Sequence, residues 1–475
     1  MTFASKEYLF FFVTVLVLYW LLSRRRQNHM LLVASYVFYA AWDWRFLSLI
    51  IISTLVDHYV GHKICDEKRT RIRKLWLTSS LVINLSILFY FKYCNFFIDS
   101  LQGMLQGLGI ETGLQTLNII LPVGISFYTF QSLSYSLDIY RGKLTPHKSL
   151  LTFATFVAFF PQLVAGPIVR AREFLYQLDA PRKFHWATFE DGALRFLKGL
   201  FCKVFIADNL GIYLVDPVFV DTAGHSTGML WLAMIGYGVQ IYADFSGYSN
   251  MAIGSAKMLG FSLPENFNFP YLATSIVDFW RRWHLTMSRF FRDYVYISLG
   301  GNQCGPWRNF FNVTVTTLIS GLWHGANWTF VIWGGLHGLL VSLTHVWQRL
   351  TDGSVIGQFL TKAWWLRWAI TQLAVMLLWV VFRSDSMVSA VDFYTGLFVV
   401  QQGAVLALPA IVWLAFVAFL IEHGVGWSQE HSSDKSDNVS ARPVMWVRAG
   451  VYVAMMVALT HGMPSGQTPF IYFQF

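Results

Sequence analysis

Residues 364–382 read WWLRWAITQLAVMLLWVVF, with Arg367 as the single charged side chain. A helix needs roughly 20 apolar residues to cross the hydrocarbon of a bilayer, and this run has that length and composition. Runs 8–22, 75–97, 117–140, 229–245 and 406–421 approach or meet the same length. Over the chain's 475 residues, 55% are hydrophobic and 13% are charged, against about 25% charged in soluble domains. Aromatics reach 17%, and the 20 Trp and 21 Tyr suit rings held at the membrane–water boundary. The chain therefore reads as an all-α polytopic membrane protein with about ten to twelve passes, some of them short or re-entrant.

Charge placement orients it. Only Lys6 precedes the first apolar run, and Arg24, Arg25 and Arg26 follow it, the reverse of a cleaved signal peptide. Basic residues beside a span stay cytoplasmic, so the N-terminus is expected outside, in the periplasm. Lys68, Arg69, Arg71, Arg73 and Lys74 mark a second cytoplasmic stretch. Between the two lies 29–60, broken at Trp42-Asp43-Trp44-Arg45, which reads as a helical hairpin with an external tip. The net charge of +9 follows from such loops beside anionic lipids; the basic residues form no single face, which argues against nucleic acid. Cys65, Cys94, Cys202 and Cys304 lack paired spacing and read as unpaired, with no redox or zinc role. One membrane domain, 1–475, is expected, without repeats and with a solvated loop at 427–442. A second polar stretch, 179–191, is expected in the interface, with Phe184 and Trp186 on the membrane side.

The chemistry concentrates in 242–337, in the strings YADFSGYSN (242–250), PENFNFPY (264–271), DFWRRWHLTMSRFFRDYVYISLGGN (278–302) and GLWHGANWTFVIWGGLHG (321–338). In the third string, Asp278, Arg281, Arg282, Arg289, Arg292 and Asp293 accompany His284. Facing lipid, six charges would cost on the order of 15–20 kcal/mol, so this segment lies at the interface or lines a wet cavity. Two readings are compatible: Asp278–Arg282 and Arg289–Asp293 pairing at i,i+4, or arginines ringing a cytoplasmic funnel for a phosphorylated acyl carrier. His324 sits inside an apolar stretch, where a titratable side chain marks function and a neutral imidazole can act as general base; a packed, hydrogen-bonded core histidine is the plainer alternative. His337 reads as a packing histidine. The spacing of His284, His324 and His337 fits no metal signature. The chain runs to an aromatic end, FIYFQF (470–475), whose Tyr472 hydroxyl is its one reactive group; an interfacial anchor explains the aromatics equally well.

These strings resemble the membrane-bound O-acyltransferase superfamily and, within it, the bacterial alginate O-acetyltransferase branch. WRRWH and LWHGANW carry the resemblance most specifically. ILPVGISFYTFQSLSYSLDIYRG (120–142), FFPQLVAGPIVR (159–170) and the terminal FIYFQF extend it over nearly the whole chain. It implies about eleven transmembrane helices enclosing a trans-bilayer tunnel. It implies that His324 is the catalytic histidine, that His284 is the second motif histidine on the donor side, and that Arg281, Arg282 and Trp283 belong to the donor-binding motif. It further implies Tyr472 as a carrier of the acetyl group, acetyl-CoA as donor with no bound cofactor, and an SGNH-hydrolase-like extracytoplasmic partner working with polysaccharide secretion machinery. The expected activity is O-acetylation of an exported polysaccharide at the bacterial inner membrane: alginate first, acetylated cellulose or peptidoglycan next. The rivals are a polysaccharide-precursor transporter, which usually shows repeats and broken helices, and a non-catalytic scaffold, against which intact His284 and His324 argue.

Overall fold

A computed structural model describes residues 1–164, 166–351, 354–431, 445–464 and 470–471. Their regular elements are all helices, without a strand beyond one isolated bridge between His225 and Ala404. Five helical stretches among them are long and apolar enough to cross a membrane: Arg24–Asp66, Thr70–Gly107, Trp328–Thr351, Trp364–Arg383 and Ala410–His431. Their outer faces carry Leu75, Val82, Trp365, Ile370, Leu420 and Ile421 exposed, the surface that lipid rather than water accommodates. The protein is a polytopic, all-α membrane protein.

The chain divides into two compact units, one of Met1–Arg195 with Ala252–Pro264, the other of Phe196–Met251 with Glu265–Phe475. The first is organised around a buried carboxylate. Asp57, on helix Leu47–Asp66, accepts from Ser80 Oγ at 2.5 Å and Asn84 Nδ2 at 3.0 Å on helix Thr70–Leu88, and from Ser136 Oγ at 3.0 Å on helix Ile125–Tyr140. Inside a membrane a carboxylate persists only with such donors. The segment 42–45 does break the helix. Asp43 turns extended (φ −159°) and accepts from the Arg45 N–H, ending Arg24–Asp43 before a single turn at Trp44–Phe46 and helix Leu47–Asp66.

Other boundaries differ from the sequence reading. The apolar run 117–140 is helical only over Ile125–Tyr140, because Pro122 and Gly124, at φ +75°, stop it from extending upstream. In the predicted loop 427–442, helix Ala410–His431 continues through the first five residues, where Glu430 finds an arginine partner described below; 432–444 lie outside the described residues. In the polar stretch 179–191, helix Trp186–Phe201 begins at Trp186, and Phe184 and Trp186 are exposed. The four cysteines are free.

In the second unit the site is carried by the hairpin of Pro306–His324 and Trp328–Thr351. Glycines allow its helices to touch backbone to backbone. A Cβ on Gly321 would stand 2.2 Å from the Phe330 carbonyl oxygen, and one on Gly334 would stand 2.3 Å from that of Thr317. Gly321→Val therefore forces the hairpin apart. It is expected to cost on the order of 1–3 kcal/mol and to lower the thermal unfolding midpoint of the detergent-purified protein; an unchanged midpoint would contradict this packing.

Candidate active site

His284 stands at the start of helix Leu285–Phe291 with a left-handed backbone, φ +42° and ψ +56°. A non-glycine residue there costs roughly 1–2 kcal/mol, so neighbouring bonds must impose it. Segment 266–269 supplies them. Asn268 N–H donates to the Arg282 carbonyl at 2.9 Å, and Leu285 N–H donates to the Asn266 carbonyl at 2.9 Å. The Asn266 side chain completes the clamp. Its Nδ2 donates to Ser249 Oγ at 3.1 Å, which leaves Oδ1 to accept from Thr286 Oγ1 at 2.9 Å and from His284 Nδ1 at 3.0 Å.

That acceptor settles the imidazole's tautomer. With Nδ1 donating, the lone pair of neutral His284 is on Nε2, a buried atom with no hydrogen-bond partner among the described residues. The arrangement is that of a base whose far nitrogen is oriented by a fixed acceptor.

His324 closes helix Pro306–His324 and is buried. Its ring packs on Trp323 (centroids 5.0 Å apart), Trp333 (5.2 Å) and Phe382 (5.5 Å). Trp323 also meets His284, at 6.0 Å, so one indole contacts both motif histidines. His337 lies on the facing helix, buried against Trp333 at 4.7 Å. No group of three or more His, Cys, Asp or Glu among the described residues is arranged to hold a metal.

A cavity of about 520 Å³ opens beside this cluster, lined at depth by Trp280, Trp333 and His337 and elsewhere by Arg281, Arg289 and Arg292. A hollow of about 1150 Å³ shares Tyr296 and His345 with it and adds Arg349 and Arg367. Among the described lining residues of either there is no Asp or Glu. Such cation-rich, acid-free walls suit an anion.

The charges of 278–293 divide into two sets. Arg282 is a structural pair: its Nε meets Asp278 Oδ1 at 3.0 Å and its Nη1 meets Glu430 Oε1 at 2.5 Å. Burial alone would lower the pKa of this guanidinium, but the hydrogen bonds of Glu430 and Asp278 outweigh it and hold it above its ordinary value. Asp293 pairs with Arg292 at 2.7 Å rather than with Arg289 as the i,i+4 pattern suggested. The side chains of Arg281 and Arg289 make no ion pair or hydrogen bond among the described residues and line the cavity. Trp283 lies buried in the core against Phe279, Phe267 and Trp379.

Two features escaped the sequence reading. Lys203 is buried between Asp208 (2.7 Å) and Asp244 (2.8 Å) on the wide π-turn Cys202–Ala207, a form of helix frequent at functional sites. Asp244 also accepts the Ile471 backbone N–H at 2.8 Å. The neighbouring Phe470 packs on Tyr248 (4.1 Å) and on Phe245 (5.8 Å), and Phe245 in turn meets the His284 ring at 4.7 Å. The segment 470–471 is thereby anchored beside His284; Tyr472 lies outside the described residues.

Over residues 44–388 the chain matches the model of the membrane-bound O-acyltransferase family, a range that holds Asn266, His284, His324 and His337. It is 42% identical over 400 residues to a protein of Azotobacter vinelandii named "Probable alginate O-acetylase AlgI", covering 84% of this chain and 78% of that one. It is 37% identical over 393 residues to a peptidoglycan O-acetyltransferase of Helicobacter pylori, covering 77% and 73%. It is 29% identical over 243 residues to a teichoic acid D-alanyltransferase of Bacillus subtilis, covering 49% and 61%.

The clamp makes a specific demand. Asn266→Ala frees the His284 ring and removes an acceptor from Thr286, so acyl transfer is expected to fall about a hundredfold while the protein still elutes as a folded species. Wild-type transfer by this variant would show that His284 needs no fixed orientation.

Proposed function

The chain belongs to the membrane-bound O-acyltransferase family, and from that premise we propose that it moves acetyl groups from a cytoplasmic thioester, acetyl-CoA, across the inner membrane for O-acetylation of an exported, alginate-type polysaccharide. The observation that carries the reading is one assembly: two motif histidines sharing Trp323, beside a cavity whose Arg281 and Arg289 have no acidic partner among the described residues. Unpartnered guanidinium groups suit the phosphates of a CoA-type donor. The alginate assignment is supported by greater identity over more of the chain than with the peptidoglycan relative.

In the proposed reaction the donor is cytoplasmic; the basic stretches 24–26 and 68–74 support a cytoplasmic position for themselves and a periplasmic N-terminus. Neutral His324 takes the proton of an acceptor hydroxyl entering from outside. The hydroxyl oxygen bonds to the thioester carbonyl carbon, the carbon–sulfur bond breaks, and the imidazolium returns its proton to the departing thiolate, releasing CoA thiol. His284, its Nε2 lone pair presented by the Asn266 clamp, accepts a hydrogen bond that orients the reacting groups. Arg281 belongs to the donor cavity, whereas Arg282 and Trp283 serve the donor motif by fixing its backbone, the first through Asp278 and Glu430 and the second through core packing.

Tyr472 is the proposed first acceptor, carrying acetyl as a phenyl ester before passing it outward. What supports this is the anchorage of its two predecessors, Phe470 and Ile471, on Tyr248, Phe245 and Asp244 beside His284. An extracytoplasmic SGNH-hydrolase-like partner and secretion machinery would complete delivery to sugar hydroxyls.

Cells whose sole copy carries His324→Ala are expected to export polysaccharide with its O-acetyl signal in proton NMR reduced by about a hundredfold or more, with the protein still present in the membrane. An unchanged acetyl signal would contradict the assignment.

A further inference from the structure

His337 has no role in the reaction above, yet its chemistry is tightly specified. Trp280 Nε1 lies 3.3 Å from His337 Nδ1. An indole nitrogen only donates, so Nδ1 is the acceptor and the proton of the neutral ring resides on Nε2. His337 is therefore the opposite tautomer to His284: its Nε2 offers a proton and no lone pair. That nitrogen is buried without a hydrogen-bond partner among the described residues, in a ring 1% exposed that nevertheless lines the cavity of about 520 Å³. A buried donor left unpaired is costly, and the cavity is where its partner can enter.

The surrounding wall narrows what that partner is. Arg281 and Arg289 call for an anionic group, while Trp280, Phe291 and Trp333 form an apolar sleeve suited to a thin, largely aliphatic arm. A ligand with both properties and an isolated acceptor is a phosphopantetheine thioester, whose arm carries amide carbonyls. Trp333 contacts the rings of both His337 and His324, at 4.7 and 5.2 Å. One indole thus separates the offered proton from the proposed base, so the reacting thioester belongs at His324 and an amide further up the arm belongs at His337.

We infer that His337, locked by Trp280 as an Nε2–H donor, is a positioning residue that hydrogen-bonds an amide carbonyl of the acyl donor's pantetheine arm. This rests on the donor reading given under the proposed function and adds to it a residue that measures the arm. It sets where the thioester comes to rest relative to His324.

The test uses the full chain in detergent, with CoA and acetyl-CoA as probes in calorimetric titration and with KM and kcat for acetyl transfer. His337→Leu is expected to raise the Kd of both probes about tenfold, with the loss appearing in KM rather than kcat. His337→Gln, which retains an N–H of similar reach, is expected to stay within about threefold of wild type and also covers the case in which the leucine variant does not fold. Wild-type affinity in His337→Leu, with binding still weakened by Arg281→Ala, would overturn the inference and leave the donor reading standing. A loss confined to acetyl-CoA would overturn the amide assignment in favour of the thioester carbonyl. Failure of the wild-type protein to bind either probe would overturn both.

Discussion

The carbonyl oxygen of the Asn266 side chain organises the candidate site. It accepts from His284 Nδ1 and Thr286 Oγ1, while the same amide donates to Ser249. Through these bonds a residue held in a left-handed backbone presents a lone pair at Nε2 instead of a proton. In a soluble protein, water could replace any one of these partners. At a buried site it cannot, so orientation, tautomer and backbone strain are met together by one amide. A neutral acceptor also orients the ring without adding a further buried charge.

The same constraint sorts the charges. Arg282, paired with Asp278 and Glu430, ties the motif to the end of helix Ala410–His431, and Lys203 with Asp208 and Asp244 anchors 470–471. Removing one member of the buried Lys203 set strands the others, whereas the Arg282 set is only partly buried. Arg281 and Arg289 stand apart because, among the described residues, their side chains have no acidic partner and line a cavity. Adjacent arginines in one motif thus do different work, one joining helices and the other facing a cavity.

Much of this was legible in the sequence. Histidines and arginines inside apolar strings are costly in a membrane, which pointed to 278–293 and His324, while the resemblance of WRRWH and LWHGANW pointed to the family. The roles of neighbours were not legible. Asn266 carries no periodic signal; it matters because 266–269 folds back on 282–286. Glu430 is 148 residues from Arg282 and lay in a stretch that read as loop. Asp244 and Asp57 each interrupt an apolar helix, the same signal that singled out His324. Their partners, a lysine 41 residues before the one and hydroxyls from two other helices around the other, emerge only in three dimensions. The opposite tautomers of His284 and His337 depend on which atom of a distant amide or indole arrives at Nδ1, which no spacing encodes.

The central claim is that acetyl passes from a thioester through this chain under the action of His324. Its most direct test is to incubate the purified protein with radiolabelled acetyl-CoA and to follow label on the polypeptide. The account predicts label on the wild-type chain that is lost in both His324→Ala and Tyr472→Phe. Label undiminished in His324→Ala would contradict it.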